Sequence, residues 1–216
     1  IIFVIFFKKK HLIKISKLII ASSLIVLFLI SYSKINDPDA FLYHLPYTQI
    51  LNEQKIIFGL SNLHFRFGTI SLEQYINAGN FNFITNPGVI ISSASIFSII
   101  FMKIFINIYN HLKKIKFLNG SFLILNLFLI FILSIRFNRF SDYGNDAVTS
   151  FYLVYLILII FQKKLSIYEI DDYLKVSLVS IAIFMFKPFY ALLILIPFLI
   201  FIFNKKIKLF TKFNSF

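Results

Sequence analysis

Apolar runs alternate along the chain with short polar stretches, and the every-second-residue pattern of a half-buried strand does not appear. A spanning helix takes about 20 apolar residues, with a range of about 17–25 and shorter segments where loops dip inward. Six segments fit: residues 18–32, 89–109, 121–135, 147–162, 174–186 and 189–203. Lipid offers no partner to backbone N–H groups, so each is read as a helix. Only Lys187 and Pro188 separate the last two, which predicts either a tight hairpin of two short spans or one long broken helix. The expected fold class is all-α, a polytopic transmembrane helical protein of about six spans forming a single domain over 1–216. Polar segments 33–88 and 136–146 would be its extracytoplasmic loops, the first bearing interfacial helices.

Composition points the same way. The chain is 59% hydrophobic and 14% charged with a mean hydropathy of +0.85, where ordinary soluble domains have about 45–50% apolar and about 25% charged residues. A water-soluble enzyme of this length has no interior large enough for that surface. The absence of cysteine excludes a disulfide scaffold and a Cys-rich zinc module. The excess of Ile, Phe, Lys and Asn matches an AT-rich coding sequence, so no weight is placed on phenylalanine stripes. The opening IIFVIFF precedes Lys8, Lys9 and Lys10, the reverse of a signal peptide. It reads as the tail of an upstream span and, with the basic stub after 203, suggests a fragment of a larger membrane protein.

Charge then sets the orientation. If loops alternate, one side holds sixteen lysines against Glu169, Asp171 and Asp172, leaving +13. On the other side Lys34, Lys55, Arg66, Arg136, Arg139 and Lys187 balance six acids. The positive-inside rule places the first side in the cytoplasm, so the net charge reports topology and attraction to anionic membrane lipids. A nucleic-acid partner is not expected, because no basic module accompanies the charge. Every arginine falls outside the cytoplasm, where the planar guanidinium suits bidentate binding of phosphate.

The long loop opens with SKINDPDAFLYHLPYTQIL. Asp37 followed by Pro38 starts a helix, Asp39 sits in its first turn, and Tyr43 lies one turn on along the same face. Phe41, Leu42 and Leu45 suit a helix lying on a membrane surface, and Pro46 should kink or end it. A capped interfacial helix without chemistry accounts for the same residues.

The run Asp39-Ala40-Phe41-Leu42-Tyr43-His44-Leu45-Pro46 resembles the D-x-x-x-Y-H-L-P signature in the first extracytoplasmic loop of bacterial polyprenyl-phosphate-dependent glycosyltransferases. These belong to the GT-C superfamily, with the protein O-mannosyltransferases and the lipid A aminoarabinose transferase. The run from Gly59 to Gly68, GLSNLHFRFG, is similar to a G-L-x-N-L-H-x-R-x-G segment of uncharacterised bacterial members. Asn145-Asp146 matches more loosely an Asp of the second extracytoplasmic loop. The resemblance covers roughly the first three-quarters of the chain, and a complete enzyme of that kind is longer.

The resemblance implies a multi-pass enzyme of the bacterial inner (plasma) membrane, moving a sugar from a polyprenyl-phosphate donor to a lipid, glycan or protein acceptor. Asp39 would be the catalytic base taking the acceptor proton. Asp146 would orient sugar or acceptor, or share a magnesium or manganese ion with Asp39, hard oxygen ligands suiting either metal. Tyr43, His44, His64, Arg66, Arg136, Arg139 and Lys187 are the expected substrate-binding residues, the cations stabilising the departing phosphate.

Plainer roles compete for several of these residues. Asp142 and Asp146 would neutralise Arg136 and Arg139 across a short loop. His44 and His64 match no compact zinc spacing and suit structural hydrogen bonds. Lys187 would cap a hairpin, and the run Glu169 to Asp172 would be a solvated turn. No P-loop, G-x-G-x-x-G, G-x-S-x-G or H-E-x-x-H occurs. A transporter or lipid-carrier flippase is the competing class, as is an inactive fragment of the transferase. A transporter predicts ionisable groups within the spans, where only Lys103 and Lys175 fall, and both can snorkel.

The orientation is testable without removing any native thiol. Single cysteines at Ser61 and Asn145 should react with an impermeant thiol reagent in intact cells, and one at Asn110 should not. Labelling at Asn110 alone would reverse the topology.

Overall fold

The computed structural model describes residues 9–33, 37–53, 57–68, 71–80, 92–113, 120–136, 140, 144–162 and 169–203. Among these, regular structure is entirely helical. Helix α1 (Lys9–Ser31) precedes α2 (Asp37–Asp39), which runs through a π-helical turn at Ala40–His44 into α3 (Leu45–Glu53). A compact stretch follows, with α4 (Leu60–Leu63), a 3₁₀ turn at Phe65–Gly68 and α5 (Leu72–Asn80). The remaining helices are α6 (Ser92–Leu112), α7 (Gly120–Arg136), α8 (Asn145–Gln162), α9 (Ile170–Phe186) and α10 (Leu195–Phe203), the last preceded by a 3₁₀ turn at Pro188–Ile194. Both α6 and α8 are long and apolar enough to cross a membrane, and shorter apolar helices cover Ser16–Ser31, Gly120–Leu129 and Pro188–Phe203.

Packing fixes the helix directions. Phe97, Ile100 and Ile104 of α6 meet Phe151 and Leu158 of α8 in one core, with Phe97 and Phe151 edge to face at 5.4 Å, so these two helices run parallel. Tyr152 packs on Phe186 at 5.0 Å, while Leu156 and Ile159 join Val176 and Val179 in a second core, which makes α8 and α9 antiparallel. Ser22 and Ser98 share a hydrogen bond of 2.7 Å between α1 and α6, and Leu29 packs on the core around Phe97, so α1 opposes α6. The start of α6, the start of α8 and the end of α9 therefore gather at one end of the bundle.

The two readings of the Lys187-Pro188 break are now resolved. Lys187 is extended at φ −148° and ψ 99°, and Pro188, having no N–H, starts a new helical turn. The chain then doubles back: Ile200 packs with Val176, Val179 and Ile183, and the Phe201 ring lies 6.3 Å from Tyr173. It is a hairpin.

Of the two outcomes open to Pro46, a kink or an end, the end does not occur. The Leu45 N–H reaches the Ala40 carbonyl, so one extra residue is wound into the turn before the proline and α3 continues through it. The acidic run at 169–172 also has a defined role, because the Asp172 carboxylate accepts the Glu169 N–H at 3.2 Å and caps the start of α9.

The outer surface of the bundle is apolar as well as its core, and a few polar side chains lie inside it. Leu24, Leu27 and Phe28 of α1, Phe105 of α6, Phe131 of α7 and Leu178 of α9 are exposed, whereas Ser98, Asn126 and Ser180 are buried.

Candidate functional site

Helical spacing places Asp39 and Tyr43 on one face, and the Tyr43 hydroxyl donates to the Asp39 carboxylate. Burial raises the Tyr43 pKa above its ordinary value, the Asp39 charge adds to the rise and Arg66 opposes it. The π-helical turn carries His44 beside Tyr43, their ring centroids 4.2 Å apart.

The segment from Gly59 to Gly68 folds over this face, and its terminal glycines have backbone reasons to be glycine. Gly59 adopts φ +82° as it opens α4. A Cβ on Gly68 would come within 3.1 Å of the Ser61 Cβ, so the ends of the segment close on each other. His64 stacks on Tyr43 at 5.8 Å and Phe67 on Tyr47 at 5.1 Å. The Arg66 guanidinium lies 5.2 Å from the Tyr43 ring and 5.2 Å from the Phe65 ring. His64 Nδ1 accepts the Arg66 backbone N–H at 3.2 Å, which assigns the proton of a neutral His64 ring to Nε2.

From the other half of the chain, Asp146 stands in the first turn of α8 and forms an ion pair with Lys187 at the end of α9. Its charge reaches both Tyr43 and His44. Asp39, Tyr43, His44, His64, Arg66, Asp146 and Lys187 thus share one neighbourhood, although their sequence positions span most of the chain. Arg139 and Asp142 lie outside the described residues, as does the side chain of Arg136 at the end of α7. No group of three or more His, Cys, Asp or Glu suited to a metal occurs among the described residues. A cation between Asp39 and Asp146 would have to share Asp146 with Lys187.

Sequence reasoning passed over the residues that tie these parts together. Glu73 is 0% exposed, and its Oε1 accepts from Asn77 Nδ2 at 3.0 Å and from the Ser92 hydroxyl. Two residues earlier, the Ser71 hydroxyl donates to the Phe186 carbonyl at 2.7 Å. Asn145, beside Asp146, donates to the same carbonyl at 3.0 Å. The available signal was the i, i+4 spacing of Glu73 and Asn77 on a short helix.

A family model described as a domain of unknown function (DUF8201) matches residues 2–216. No curated protein and no solved structure matches the chain.

Burial holds the His44 imidazole below its ordinary pKa, Asp39 and Asp146 pull it up, and Arg66 pushes it down. An NMR titration of His44 should therefore show a midpoint below about 6.5. Arg66→Gln should raise that midpoint and Asp39→Asn should lower it. A midpoint unmoved by either substitution would remove His44 from this charge cluster.

Proposed function

We propose that this chain, which belongs to the DUF8201 family, is a polytopic glycosyltransferase of the bacterial inner membrane. It moves a sugar from a polyprenyl-phosphate donor to a lipid, glycan or protein acceptor outside the cytoplasm. The observation that carries this reading is the convergence of Asp39, Tyr43, His44 and Arg66 with Asp146 and Lys187 at one end of the bundle. Membrane placement is supported by the apolar outer faces of α1, α6, α7 and α9. About six crossings follow if α1, α6, α7, α8 and both arms of the Lys187-Pro188 hairpin each span.

In the proposed reaction the acceptor hydroxyl oxygen attacks the anomeric carbon and the bond from that carbon to the phosphate oxygen breaks. The leaving electron pair goes to the phosphate and the hydroxyl proton to Asp39. Tyr43 orients the Asp39 carboxylate by its hydrogen bond. Arg66, steadied between Tyr43 and Phe65, offers a planar donor set to the phosphate. Lys187 adds a second positive charge, positioned by Asp146.

Asp39→Asn keeps shape and most of the polarity but removes the base, so transfer should fall by roughly 10²–10⁴-fold, the range of general base catalysis. Asp37→Asn should do far less, because asparagine still caps a helix. The assay is transfer from labelled polyprenyl-phosphate sugar in membranes, normalised to expression. Wild-type activity in the Asp39 variant would refute the assignment. Equal loss in both variants would indicate damage to the loop in place of loss of a base.

A further inference from the structure

We propose that the cleft between α1, α6 and α8 binds the headgroup of an anionic glycerophospholipid, with Lys103 as its charge partner. The inference rests on the membrane placement of the bundle and is independent of the sugar-transfer chemistry. The cleft has a volume of about 520 Å³, within the range of about 300–1,000 Å³ typical of small-ligand sites. Ser22 and Ser23 line it from α1, Lys103 and Asn107 from α6, and Tyr155 from α8, with aliphatic side chains filling the remaining wall.

These polar groups stand in otherwise apolar helices. An ionisable side chain in a span is costly, and its position marks a candidate ligand site. The Lys103 ammonium lies 5.9 Å from the centroid of the Tyr155 ring, so it is directed into the cleft and across to α8. Ser22 is bonded to Ser98, and the Asn107 amide donates to Asn126 at 3.4 Å, which holds the polar wall in place. The Ser22 proton goes to Ser98, whose own goes to the Ser95 carbonyl, and the Ser23 proton goes to the Ile19 carbonyl. The Lys103 ammonium and the second Asn107 amide N–H are therefore the donors that, beside aliphatic walls, complement an anionic head joined to an acyl chain.

The opposite flank of the α1–α6 contact supplies the contrast. A cavity of about 410 Å³ there is lined only by Leu24, Ile25, Phe28, Leu29, Phe97 and Phe101. With no polar side chain, it suits an acyl chain and cannot select a headgroup. The Lys103 cleft also lies away from the Asp39 cluster. Ser22 and Ser23 fall in the middle of α1, Lys103 and Asn107 in the second half of α6, and the Asp39 cluster beside the start of α8. Lys17 stands one residue before Leu18 of the cleft wall and Lys113 just beyond the end of α6, and both add positive charge to this half of the bundle.

The test is native mass spectrometry of the purified full chain in neutral detergent, titrated with phosphatidylglycerol, phosphatidylcholine or farnesyl phosphate. One phosphatidylglycerol should bind about tenfold more tightly than phosphatidylcholine, as expected for a charge-assisted contact. Lys103→Gln should abolish that preference, Lys103→Arg should keep it, and Lys175→Gln, on another helix, should leave it unchanged. Equal wild-type affinity for the two phospholipids would overturn the proposal whether or not the Lys103 variants fold. So would an unchanged preference in a folded Lys103→Gln variant. Displacement of phosphatidylglycerol by equimolar farnesyl phosphate would also overturn it, making the occupant a polyprenyl phosphate. A chain that enters vesicles without headgroup preference contradicts this inference alone, while one that associates with no lipid contradicts the membrane reading beneath it.

Discussion

The Phe186 carbonyl ends the hydrogen-bond ladder of α9 at a point where the backbone cannot continue it. In an unbroken helix that carbonyl would accept from Tyr190, but Pro188 redirects the chain and the Tyr190 N–H goes to the Lys187 carbonyl at 3.0 Å. Phe186 is itself buried, and a buried carbonyl without a donor is costly. Ser71 and Asn145 both supply one. The polar loop, the start of α8 and the end of α9 are thereby drawn to one atom. The joining of the loop residues to Asp146 and Lys187 depends on that meeting, because Asp146 follows Asn145 and Lys187 follows Phe186.

Glu73 secures the same junction from the side of α6. Its carboxylate bridges Asn77 on its own helix and Ser92 at the start of α6. A carboxylate this deeply buried must be supplied with donors, so losing one of them would cost more than an ordinary surface contact. The same contact seats a short amphipathic helix among the ends of long apolar ones, with Glu73 accepting from the Ser92 hydroxyl at the start of α6.

Much of the helical layout was legible in the sequence. Apolar runs and punctuation placed α6, α7, α8 and α9 and the end of α1 to within a few residues, since those signals are local, whereas α1 starts nine residues before its apolar run, at Lys9. The hairpin at Lys187-Pro188 remained open because proline permits either a kink or a reversal, and only Ile200 packing on Val176 and Val179 decides between them. Pro46 left a similar choice between a kink and an end, and a π-helical turn just before it carries the helix through. Asp39 and Asp146 were found through motif resemblance, but their proximity depends on Ser71 and Asn145 meeting one carbonyl. Glu73 escaped notice because in the sequence it is one acid among six that balance six bases. Its burial is a tertiary fact.

The central claim is that the polar loop docks on the end of α9 and so assembles the site. It is tested most directly by cross-linking in the otherwise cysteine-free chain. Cysteines at Ser71 and Lys187, joined by a short bismaleimide in native membranes, should cross-link efficiently, since the Ser71 hydroxyl lies 2.7 Å from the carbonyl that precedes Lys187. A cysteine pair at Asp146 and Lys187 is the control for reagent access and for the α8–α9 pairing. Cross-linking of the control pair with none between positions 71 and 187 would contradict the account.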